Sequence, residues 1–146
     1  MTSKLALTIG LTTIVALNLA GCATRPDNLD LSLERPTVAG LYKVALEPPQ
    51  ALPAINQIHA WTVKVSDAAG KPVHDAIFAV GGGMPQHGHG LPTNPRITRE
   101  IESGTYRLDG MKFSMPGWWE IKLDIQAPIG ADSITFNTVV ETPHKS

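Results

Sequence analysis

An all-β sandwich of about seven strands is the architecture to expect from this 146-residue sequence, on three grounds. From Gly40 onward apolar residues alternate with polar ones in short runs, the two-residue period of a strand with one buried face. Gly, Pro, Asp or Asn interrupts the runs every ten or so positions, which is how turns punctuate strands. No segment carries a helical stripe of useful length. The number of runs is that of an immunoglobulin-like sandwich, although the single cysteine cannot supply the inter-sheet disulfide of antibody domains.

Ahead of the strands, residues 1–21 read MTSKLALTIGLTTIVALNLAG: one early cation, Lys4, an apolar run from Leu5 to Leu19, then Ala20-Gly21 before Cys22. A short apolar run ending in small residues, with polar sequence after it, marks an export signal rather than a spanning helix. The stretch Leu19-Ala20-Gly21-Cys22 resembles the lipobox of bacterial lipoproteins. That resemblance implies that Cys22 is lipidated, becomes the new N-terminus and anchors the protein in a membrane. Ala23 in the following position implies, by the same likeness, the outer membrane if the host is Gram-negative, with the protein facing the periplasm. Residues 22–38 are polar, hold two prolines and show no sustained period, so they are expected to act as a tether. The domain is expected over 39–142, with a tail at 143–146.

Composition bounds what the exported part does. About 125 residues follow the signal, enough for one domain with a real core and too few for two. They carry 11 basic and 13 acidic residues, a formal charge of −2, which offers nothing to nucleic acid. With Cys22 as the only cysteine, no intramolecular disulfide can form, and the fold rests on packing alone.

The strands are expected at 41–47, 58–66, 73–80, 97–101, 105–113, 118–125 and 132–140. Tyr42, Val44 and Leu46 share a face in the first, and Trp61, Val63 and Val65 in the second. Ile97 and Ile101 point the same way if 97–101 is regular. In WWEIKLDI (118–125), Trp119, Ile121, Leu123 and Ile125 alternate with Trp118, Glu120, Lys122 and Asp124, so the first four are inward and the others wet. Ile134, Phe136 and Val140 are the inward residues of the last run. In TYRLDGMKF (105–113), Tyr106 and Leu108 have the opposite parity to Met111 and Phe113. A bulge at Asp109-Gly110 would restore both pairs to one face and make Met111 an ordinary core residue.

Chemistry concentrates in MPQHGHGLPTNPR (84–96), which holds two of the five histidines. Glycines and prolines there exclude helix, and Pro85, Pro92 and Pro95 stiffen the loop. His87 and His89 flank Gly88, so in an extended segment both imidazoles point to one side, with Met84 nearby. Imidazole with a thioether suits copper, and a His/Met set avoids thiols that would oxidise outside the cytoplasm. A second thioether is on offer in Ser114-Met115-Pro116-Gly117, read as a type II turn that carries Met115 to one end of the sandwich. Met111 and Met115 lie about 13 Å apart in extended chain, so at most one of them joins a given ion. Met115 is the better placed. The candidate metal ligands are therefore Met84, His87, His89 and Met115; alternatively the loop is structural, its histidines tied to backbone. His59 is expected at the rim of the core with its polar atoms satisfied, His74 as exposed, and His144 in the tail. Gly81-Gly82-Gly83 reads as a flexible lead into the loop. No nucleophile elbow, phosphate loop or free thiol is present, so an enzyme is not expected.

The pattern W61-T-V-K-V-S-D67, G70-K-P-V73, A76-I-F-A-V80, M84-P-Q-H-G-H-G90, P92-T-N-P95, G104-T-Y106 and G110-M-K-F-S-M-P-G-W118 with Glu120 resembles the YtkA-like family and its FixH-like relatives. The likeness spans Trp61 to Val140. It implies a small exported immunoglobulin-like β domain, and FixH-like domains are associated with assembly of copper-dependent oxidases. Its motif positions fall on Met84, His87, His89 and Met115. The expectation is a lipid-anchored, periplasmic copper-binding protein that delivers or buffers copper, with an envelope protein as recipient; the alternative is a non-catalytic envelope assembly module.

Overall fold

The computed structural model describes residues 24–51 and 54–141. Cys22, the signal at 1–21 and the tail at 143–146, His144 included, lie outside the described residues. Among the described residues nine strands form two antiparallel sheets, and no helix is long and apolar enough to cross a membrane. They are β1 (Glu34–Pro36), β2 (Tyr42–Glu47), β3 (His59–Asp67), β4 (Ile77–Met84), β5 (His89–Gly90), β6 (Arg96–Glu102), β7 (Thr105–Met111), β8 (Gly117–Ala127) and β9 (Gly130–Val140). One sheet runs β1-β2-β3-β7-β6 and the other β5-β4-β8-β9. Without the two short strands β1 and β5, the order is that of the seven-stranded immunoglobulin constant topology.

Alternation explains why these segments pair. Tyr42, Val44 and Leu46 of β2, Trp61, Val63 and Val65 of β3, and Trp119, Ile121, Leu123 and Ile125 of β8 are buried, while Lys43, Lys64, Lys122 and Asp124 are exposed. The inner faces interlock into one core that also takes Leu108, Met111, Phe113, Ile134 and Phe136. The expected bulge is present: His59 pairs with Met111 and Trp61 with Leu108, so β7 spends one residue more than β3 across this interval. Gly110 absorbs it at a φ of 86°, a left-handed conformation that costs glycine nothing. Tyr106, Leu108, Met111 and Phe113 are consequently all buried.

Four expectations need correction. The strand expected at 73–80 begins at Ile77 and continues through the glycines to Met84, so Gly81-Gly82-Gly83 is sheet rather than a flexible lead. The physical reason is close backbone approach: a Cβ on Gly82 would sit 2.1 Å from the Glu120 carbonyl oxygen, and one on Gly83 2.2 Å from that of His89. Ile101 does not share the face of Ile97, because two register shifts in β6 turn it outward. Trp118 is buried rather than wet; its indole N–H donates to Asn137 Oδ1 at 2.9 Å, and Asn137 donates in turn to the Asp30 carbonyl at 3.0 Å. Finally, the last residues of the 22–38 segment belong to the sandwich, since β1 pairs with β2 and Arg35 donates to the Thr135 carbonyl of β9.

Asp132 fastens that segment to β9. Its carboxylate accepts from the N–H groups of Ala39, Leu41 and Ser133 at 2.8 to 3.2 Å. Burial pushes its pKa up, but the Thr37 hydroxyl and these N–H groups outweigh it and pull the value down from 3.8 to about 2. A folded pKa below the unfolded one means the stabilisation is complete above 3.8 and is lost as pH falls through about 2. Acid titration of unfolding should show native stability dropping across this window. Asp132→Asn should be less stable at pH 7 and show a flatter acid limb; parallel limbs would refute the assignment.

Candidate metal centre

The His turn grows from the end of β4. Met84 closes it with its carbonyl, which accepts from His87 N–H at 3.1 Å and Gly88 N–H at 3.0 Å, and Gly88 turns the chain at a φ of 65°. His89 then pairs back with Met84 as β5. The segment is a tight turn rather than extended chain, yet both imidazoles still emerge together. Their ring centroids are 5.8 Å apart and their planes 17° from parallel. Both residues are exposed, and His89 has one long contact, Nδ1 to the Gly90 carbonyl at 3.4 Å.

That separation can be tested against a shared ion. Two metal–nitrogen bonds of about 2.0–2.1 Å, each extended by roughly 1.2 Å to a ring centre, put the centroids at most about 6.5 Å apart. The pair fits. Among the described residues no group of three or more His, Cys, Asp or Glu comes together as a metal cluster, so a closed zinc site of such residues is not built there. Among the described residues, a third donor for the pair is therefore sought among the thioethers.

The two methionines differ sharply. Met84 is 1% exposed and part of the core, with its methyl packed where a side chain on Gly117 would be, 2.9 Å from that Cβ position. Met115 is 37% exposed, in the turn before β8. It is linked to the His turn through Trp119, whose indole N–H donates to the Met115 carbonyl at 3.1 Å and whose ring lies 6.0 Å from His89, edge to face. Trp119 is thus the tryptophan against the loop. Met111 is fully buried, as the bulge required.

Beside His89 lies a shallow cleft of about 290 Å³ lined by Met84, Pro85, Gly88, Glu120 and Lys122, with Glu120 and Lys122 paired at 3.0 Å. The family model for YtkA-like domains matches residues 38–124. This chain belongs to the YtkA-like family. The match begins earlier and ends earlier than the sequence motifs indicated, taking in β2 and stopping within β8, and it includes all four candidate ligands. No curated protein and no solved structure matches the chain.

Elsewhere in this YtkA-like domain, His59 departs from expectation, and His74 is exposed as expected yet not idle. His59 packs at 5.5 Å against Phe113 with the rings tilted and bonds through Nδ1 to the Gln57 carbonyl at 3.1 Å, but its buried Nε2 has no partner among the described residues, so it is only half satisfied. His74 is exposed but engaged, bonded to both Glu100 and Ser103. Sequence reasoning missed that constellation because its members are distant in sequence and share no motif spacing.

Proposed function

We propose that this YtkA-like protein binds one copper ion through His87 and His89, with Met115 as the third donor, and serves copper delivery or buffering at the cell envelope. The observation that carries the reading is the pair of exposed imidazoles 5.8 Å apart, aligned and nearly free of other bonds. Two imidazoles and a thioether form a donor set that suits Cu(I), and three ligands leave a position open for transfer to a recipient. Of the two thioethers, exposure favours Met115, since Met84 would have to leave the core. The resemblance to FixH-like domains points towards copper as well. The lipobox-like stretch supports a lipid anchor on Cys22 and a periplasm-facing position at the outer membrane, and the absence of a cationic surplus argues against nucleic acid.

Titration of the purified protein with Cu(I) against a competing chelator tests this directly. One equivalent should bind, be lost in the His87→Ala/His89→Ala variant, and weaken at least tenfold in Met115→Leu. The apo melting temperature of the double variant should change little, because both residues are exposed and their rings hold only one long hydrogen bond. A large drop in that melting temperature without any copper affinity in the native protein would instead identify a structural loop in an assembly module.

A further inference from the structure

Three residues that no sequence motif connects meet at the β6–β7 hairpin. His74 Nδ1 lies 2.8 Å from Glu100 Oε1, and His74 Nε2 lies 3.0 Å from Ser103 Oγ. A carboxylate only accepts hydrogen bonds, so Glu100 fixes the ring proton on Nδ1 and leaves Nε2 to accept from the Ser103 hydroxyl. Nucleophile, base and orienting acid stand in the order that acyl transfer uses. We propose that Ser103, His74 and Glu100 form a nucleophilic site that takes the acyl group from small, uncharged, activated esters.

Backbone holds Glu100 and the chain on either side of His74 in place. Glu100 accepts from Gly104 N–H at 2.7 Å and, through its other oxygen, from Asp75 N–H at 3.4 Å. Asp75 reaches it from a φ of 53°, a conformation uncommon outside glycine and enriched where structure serves a site. The residues flanking this His–Asp pair are pinned by buried Tyr106, whose hydroxyl donates to the Val73 carbonyl at 2.6 Å and accepts from Ala76 N–H at 3.2 Å. Burial pushes the Glu100 pKa up, but the Gly104 and Asp75 N–H groups and His74 more than offset it, so the orienting acid is ionised at neutral pH. Gly104 allows the turn to close, since a Cβ there would stand 2.7 Å from the Val65 carbonyl oxygen.

Ser103 lines a cleft of about 380 Å³ whose charges cancel: Lys64 pairs with Glu47 at 2.7 Å and Lys43 pairs with Glu34. Such a wall favours neither anionic nor cationic substrates. In the step itself, Ser103 Oγ attacks the ester carbonyl while its proton passes to His74 Nε2. Collapse of the tetrahedral adduct breaks the bond to the leaving alcohol, which takes that proton from Nε2. Water, deprotonated by His74, later releases the acid and restores Ser103. Gly104 N–H is committed to Glu100 and is not free to stabilise the oxyanion. Losing one such donor costs about 10²–10³ in rate, so acylation should be slow.

The experiment is to treat the full chain with p-nitrophenyl acetate, and separately with a fluorophosphonate, and map the modified peptides. Ser103 should be labelled ahead of Ser32, Ser66 and Ser133, at a rate reduced at least tenfold in His74→Gln and Glu100→Gln, with label lost from this position in Ser103→Ala. Copper binding should be unchanged in all three. Labelling spread evenly over the serines, or unaffected by His74→Gln, would overturn the proposal and leave the network as a structural tie between the hairpin and residues 73–76.

Discussion

Gly82→Ala should destabilise the domain by more than about 3 kcal/mol and lower its melting temperature by roughly 10 °C or more. The added methyl would lie 2.1 Å from the Glu120 carbonyl oxygen and 3.2 Å from Ile121 Cα, and its backbone sits at a φ of 138°. Both obstacles are main chain, so no rotamer change relieves them; β8 must move away from β4. That strand carries Trp119, Ile121, Leu123 and Ile125, so the displacement spreads into the core. The Gly82 carbonyl also accepts from Leu91 N–H at 3.2 Å, closing the chain after the His turn. Gly81→Ala is the control one residue away: nothing lies within 4 Å of its Cβ position, and it is not in the left-handed region. Denaturant unfolding of the two variants should therefore separate them widely. Equal stabilities would show that β4 and β8 are not in close contact at Gly82.

How much of this was legible in the sequence depended on whether the deciding contact was local. The bulge could be read because the parity conflict between Leu108 and Met111 sits within one strand and has few solutions. The strands of β2, β3, β8 and β9 could be read because alternation records which face is buried. The glycine run could not, since a strand without side chains carries no alternation; it is a strand only because β5 and β8 approach it closely. Trp118 looked solvent-facing by parity, yet it is buried and bonded to Asn137, which is itself bonded to the chain before β1, contacts that are distant in sequence. The same limit applied at the sites. His87 and His89 were visible as a spaced pair, whereas the difference between Met84 and Met115 appeared only with burial, and Ser103, His74 and Glu100 appeared only once the hairpin folded against residues 73–76.

Trp119 is where stability and the proposed copper site meet, and Trp119→Ala should cost about 3–5 kcal/mol, a large share of the 5–15 kcal/mol typical of a domain. The indole is fully buried, packs at 5.3 Å on Phe113 and holds the Met115 turn through its N–H. Truncation would leave a cavity beneath the His turn and free the loop that carries the exposed thioether. Loss of copper affinity in this variant alone would not distinguish a damaged fold from a damaged site. Trp119→Phe separates them, because a ring remains between Phe113 and His89 while the N–H to Met115 goes, at an expected cost of about 1–2 kcal/mol. In the native protein Cu(I) should change tryptophan fluorescence through the ring 6.0 Å from His89. Trp119→Phe should still bind copper, several-fold more weakly as Met115 loses its anchor, but without most of that change, since Trp61 and Trp118 do not stack on the His pair. A full fluorescence response in Trp119→Phe would place the ion elsewhere, and unaltered affinity together with a lost response would keep the histidines as ligands while removing Met115 from the set.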